Sequence, residues 1–136
     1  MFTYRMQVRL KDTDATGVLY FAEQFKMAMD VFEEFLKERG APFRQLLDSN
    51  YLMPVVHAEA DYLAPLMVGD ELQIELGVAK IGTSSVTLIY TFYDVIRKMT
   101  VGRVKIVHVA IERHQRSASV PIPDFLRNIL EPELIL

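Results

Sequence analysis

The chain has 136 residues, 15 lysines and arginines against 18 aspartates and glutamates, a net charge of −3 and no cysteine. That length suits one domain spanning residues 1–136. Missing cysteine removes disulfides, thiolate metal sites and a cysteine nucleophile. An acidic balance argues against a nucleic-acid binder, and no apolar run reaches the roughly 20 residues of a bilayer span. The N-terminus lacks the apolar centre of a signal peptide, so a cytoplasmic location is expected.

Taken in chain order, Thr3 to Leu10 alternates: Tyr4, Met6, Val8 and Leu10 share one side, and Arg5, Gln7 and Arg9 the other. This predicts a half-buried strand. The turn KDTDATG follows, rich in residues that hydrogen-bond their own backbone. Phe21, Phe25, Ala28, Met29, Phe32, Phe35 and Leu36 then recur at spacings of three and four. They predict a helix of about five turns with one aromatic stripe. Gly40 and Pro42 stop it, and Phe43 to Asp48 adds a short helical turn. Leu52 to Leu63, Glu71 to Ile81, Ser85 to Val95 and Val101 to Arg113 read as strands, with Asp124 to Leu130 as a last short helix. One helix followed by four long strands predicts an α+β fold, an antiparallel sheet with the helix on one face.

Three segments carry a resemblance. The first is VRLKDTDATGVLYFAEQF, with the pattern D-x-D-x-x-G-hydrophobic-x-(Y/F) at Asp12, Asp14, Gly17 and Tyr20-Phe21; the second is MPVVHAEADYLAPLMVGDEL; the third is VHVAIERHQRSASVPIP. In this order they resemble the 4-hydroxybenzoyl-CoA thioesterase family of the hotdog fold. The first two look in particular like the 1,4-dihydroxy-2-naphthoyl-CoA hydrolases. The resemblance implies a curved antiparallel sheet wrapped around one long central helix. It implies homodimers or homotetramers with active sites at the dimer interface, and hydrolysis of an aromatic or short- to medium-chain acyl-CoA. No cofactor is implied, because coenzyme A is part of the substrate.

Thioester hydrolysis needs a base or nucleophile and a donor for the developing oxyanion. A carboxylate in a turn before a helix N-terminus can supply both. The resemblance places the catalytic carboxylate at Asp14, as general base or nucleophile, and the oxyanion donor at a main-chain N–H near Tyr20 or Phe21. Gly17 lets the backbone approach the substrate, and Asp12 braces the turn. His57 shares a strand face with Glu59 and Asp61 and is a further site candidate. Lys80, Ser84 and Arg116 are candidates for contacts with coenzyme A.

The plain alternative for Asp14 is a turn or cap residue. A second alternative is a calcium loop, because Asp12 to Glu23 reads D-x-D-x-T-G-x5-E. That motif requires a preceding helix, where the alternation predicts a strand, so no metal is expected. A third is a hotdog domain that binds an acyl-CoA or an acyl carrier protein without turning it over.

Overall fold

A computed structural model describes residues 1–135. The elements are β1 (Phe2–Gln7), α1 (Glu23–Glu38), α2 (Phe43–Leu47), β2 (Tyr51–Leu52), β3 (Val55–Tyr62), β4 (Glu71–Ile81), β5 (Ser85–Asp94), β6 (Met99–Val109), β7 (Ile111–Glu112), β8 (Gln115–Ser119) and α3 (Asp124–Leu130). One sheet has the order β1-β4-β5-β6-β3, with every pair antiparallel; β2-β7-β8 form a small second sheet. The fold is α+β, as the alternation of patterns predicts.

The core lies between α1 and the five-stranded sheet. Leu72, Ile74, Leu76 and Val78 of β4 face inward with Val86, Leu88, Tyr90 and Phe92 of β5 and Val104, Ile106 and His108 of β6. Their period of two is the sequence signature of a strand with one covered face. Onto them α1 lays Gln24, Met27, Ala28, Val31, Phe32, Phe35 and Leu36, all buried and spaced by three and four. His108 stacks on Phe32 with ring centroids 5.1 Å apart.

Several boundaries differ from the sequence expectation. The helix has 16 residues, about four and a half turns, and starts at Glu23. Phe21 lies outside it and is exposed, because the chain is still held in the preceding turn. The first strand stops at Gln7; Leu10 to Asp12 form a 3-10 turn, which swings Leu10 into solvent although Val8 is buried. Leu52 to Leu63 divides into β2 and β3 around Pro54, which has no N–H to give a ladder. The last strand breaks at Ala110, whose N–H leaves the sheet for the Ser84 carbonyl at 2.7 Å. The strand β8 was not anticipated. No helix among the described residues is long and apolar enough to cross a membrane.

Candidate active site

The turn between β1 and α1 is locked by its own side chains. Asp12 is buried, and its carboxylate accepts the Arg9 N–H at 2.9 Å. One oxygen of Asp14, Oδ1, accepts both the N–H of Thr16 at 2.8 Å and its hydroxyl at 2.5 Å. The Asp14 N–H reaches the Val18 carbonyl at 2.9 Å, and Gly17 N–H returns to the Asp14 carbonyl at 3.1 Å. Gly17 takes φ +81°, a conformation that a side chain would strain. These are the bonds of a D-x-T turn, in which short polar residues satisfy local backbone.

The consequence for Asp14 is a fixed, ionised group. The Thr16 hydroxyl, then its amide, hold the carboxyl below the usual carboxylate range. Both donors act on Oδ1, so Oδ2 receives no hydrogen bond from the described residues. In the single chain Asp14 is exposed and does not line either of the two recesses that flank the turn. The cleft that a buried reaction needs is therefore not enclosed by this chain.

The start of α1 lies next to this turn. Its first turn has no side-chain cap. Tyr20 N–H is spent on the Asp12 carbonyl at 2.9 Å, which removes it as a free donor. The N–H groups of Phe21 and Ala22 meet no acceptor among the described residues. Tyr62, at the end of β3, donates its hydroxyl to the Phe21 carbonyl at 2.6 Å and pins that peptide. Partial burial pushes the Tyr62 hydroxyl above its ordinary value, so it stays a donor at neutral pH. The rings of Tyr20 and Phe21 lean together, centroids 4.8 Å apart, and both remain exposed.

Beside this region lies a recess of about 180 Å³ lined by Val18, Leu19, Gln24, Tyr62, Leu63 and Leu66 among others. A larger hollow of about 420 Å³ on the other flank of the turn is charged, with Arg9, Lys11, Glu23, Lys26 and Asp30 on its walls. Two of its cations are already paired, Lys26 to Glu23 at 3.2 Å and Lys11 to Asp12 at 3.6 Å. Such a lining suits solvent better than an acyl chain.

The remaining candidates lie elsewhere. His57 is exposed on β3, with Nε2 3.6 Å from Glu59, and touches no residue of the turn. Lys80 and Ser84 sit at the far end of β4 and the following turn, and Arg116 on β8, beyond the same end. The length of β4, about 35 Å, separates that end from the Asp14 turn. One chain therefore does not gather Asp14 and these polar residues. The sequence pattern alone does not single out Thr16 and Gln24. Thr16 carried a signal, since a hydroxyl two residues after an aspartate closes such turns; Gln24 looked like any polar helix position. Before the turn stands a strand, so the helical frame of a calcium loop is missing.

The sequence profile of the thioesterase-like superfamily matches residues 8–130. The chain belongs to that superfamily. It is 34% identical over 131 residues to the 1,4-dihydroxy-2-naphthoyl-CoA hydrolase of Nostoc punctiforme, a match covering 96% of this chain and 86% of the relative. Its fold is similar to a crystal structure of a 1,4-dihydroxy-2-naphthoyl-CoA thioesterase from Synechocystis, with a TM-score of 0.88, 26% identity, and coverage of 95% of this chain and 94% of that one. It is also similar to a gentisyl-coenzyme A thioesterase, with a TM-score of 0.83, 25% identity, and coverage of 95% and 99%. The hotdog class is therefore the fold of this member.

Proposed function

We propose that this chain is an acyl-CoA thioesterase that cleaves an aryl thioester, a 1,4-dihydroxy-2-naphthoyl or hydroxybenzoyl group being the leading candidate, in a site completed by a second copy. Water and the thioester give the free acid and the thiol of coenzyme A; no other co-reactant enters. The observation that carries the reading is the pairing of a fixed carboxylate with an uncapped helix start. Oδ2 of Asp14 is free to attack the carbonyl or to take a proton from water. In this reading the open N–H of Phe21, backed by that of Ala22 and the positive helix end, receives the developing oxyanion. Gly17 keeps the turn free of side-chain bulk.

The edge strand supports a dimer. Among the described residues strand β3 pairs only with β6, and apart from Ala60 its residues are exposed. Val55, Val56, Tyr62 and Leu63 form an apolar edge of the kind that pairs with another strand. Antiparallel pairing of two β3 edges sets the start of one strand beside the end of the other. The Lys80, Ser84 and Arg116 end of one chain then approaches the Asp14 turn of its partner, and His57 falls at the seam. In this reading those cations meet the phosphates of coenzyme A. The wrapping of the sheet around a central helix, pairing of dimers into a homotetramer and a cytoplasmic location belong to the same proposal.

The test is steady-state hydrolysis of aromatic and aliphatic acyl-CoA esters by the wild type beside Asp14→Asn. Turnover falls by roughly 10²- to 10⁴-fold in the variant, the range for loss of a positioned base, while substrate still binds. Undiminished turnover would overturn the role of Asp14. Binding without turnover on every ester by the wild type would favour a non-catalytic acyl-CoA or acyl-carrier binding module.

A further inference from the structure

The stripe by which α1 meets the sheet is apolar except for one member, Gln24, which is 1% exposed. A carboxamide is costly to bury unless its polar atoms are paired. Its Nε2 donates to the carbonyls of Asp61 at 3.1 Å and Arg103 at 3.2 Å, tying α1 to β3 and β6. Carbonyls only accept, so chemistry fixes which end of the amide faces them. Both hydrogens are used. The seat is also shaped for the group: a Cβ on Gly102 would lie 2.8 Å from both heteroatoms of the carboxamide, so only glycine leaves the room. The Oε1 accepts nothing from the described residues, and Gln24 lines the recess of about 180 Å³ beside the helix start. Its other walls, Val18, Leu19, Leu63 and Leu66, are apolar, and the Tyr62 hydroxyl is spent on Phe21.

We propose that Gln24 is a specificity-determining residue whose Oε1 accepts a hydrogen bond from a hydroxyl on the acyl ring seated in this recess. An acceptor with no donor calls for a ligand that brings one; a plain ring leaves the oxygen unpaired, and an ether sets two acceptors against each other. A cavity of roughly 150 Å³ holds one benzene ring, so the recess of about 180 Å³ takes one ring of the acyl group. Gln24 lies three residues after Phe21, so the carbonyl and hydroxyl ends of one ring can address the two in turn. This inference rests on the thioesterase reading and adds the residue that reads the ring hydroxyl.

The experiment compares kcat/KM for hydroxybenzoyl-CoA isomers, benzoyl-CoA and methoxybenzoyl-CoA on the wild type and on Gln24→Met. The wild type favours one hydroxylated ester over the other two kinds by about tenfold or more, since a buried acceptor rejects a ligand lacking its donor. In Gln24→Met that ratio collapses towards one. A wild type without preference, or a variant that keeps it, overturns the assignment; a merely structural Gln24 lowers all esters alike, which also overturns it. If circular dichroism shows that Gln24→Met does not fold, Gly102→Ala, whose methyl crowds the same carboxamide, takes its place, and a Gly102→Ala protein that keeps the preference overturns the assignment. If the wild type hydrolyses no ester, the thioesterase reading falls, and calorimetric Kd values for hydroxybenzoyl-CoA against benzoyl-CoA decide for Gln24.

Discussion

Strands β5 and β3 belong to one sheet with only β6 between them, yet they are solvated in opposite ways. Along β5 every second residue is buried and the others are half-covered, because β4 and β6 flank it and α1 lies over it. Along β3 nearly every residue is exposed, although the strand is as rich in valine, alanine and tyrosine as an interior one. The difference separates the part of the sheet that is covered within the chain from the part that is left open to solvent. The Asp14 turn and the exposed Tyr20, Phe21 and Leu63 stand with β3 on the unfinished side.

The sharpest way to break this comparison is to cut equivalent holes on its two sides. Leu88→Ala, in the middle of β5, should cost about 2–5 kcal/mol in urea unfolding, because the cavity cannot collapse under α1. Val56→Lys on β3 should change the stability of the isolated chain by no more than about 0.5 kcal/mol. It should instead turn a dimer into a monomer by light scattering and lower hydrolysis with it. A Val56→Lys protein that stays dimeric and active would remove β3 from the interface.

A smaller effect separates the interior from the edge by pH. Burial lowers the pKa of His108, partly opposed by the hydrogen bond of Nδ1 to the Met53 carbonyl at 2.9 Å. The folded chain therefore keeps this ring neutral where the unfolded chain protonates it. Stability is full above the unfolded value near 6.5 and falls as pH drops below it towards the folded pKa, by up to ~1.4 kcal/mol per pH unit. Urea midpoints at pH 7.5 and 5.5 should show this slope, and His108→Leu should flatten it. Gly17→Ala should cost about 1–2 kcal/mol, from the positive φ alone. No atom lies within 4 Å of the added methyl, so a larger loss would point to something that covers the turn.

Periodicity made the interior legible. The inward residues of β4 and β5 and the Phe32–Phe35–Leu36 part of the helix alternate as their burial requires, and the Asp-rich turn announced itself by composition. What failed depended on neighbours distant in sequence. Phe21 continues the helical stripe in the sequence, but Tyr20 N–H is captured by Asp12, so the chain enters the helix later. Gln24 reads as a solvent position until Gly102 of β6 makes a seat for it. Lys80, Ser84 and Arg116 qualified as polar groups in the right neighbourhood of the family pattern. Only the topology reveals that they stand a full strand away from Asp14.

The open edge of β3 also bears on solubility. A two-fold antiparallel contact centred between Ala58 and Glu59 sets Glu59 against Ala58 and Asp61 against Val56. An in-register parallel stack, the arrangement of a fibril, would instead set Glu59 on Glu59 and Asp61 on Asp61 at about 4.8 Å, where like charges repel. On the proposed dimer, the same eight residues accept one partner strand and resist an endless series of them.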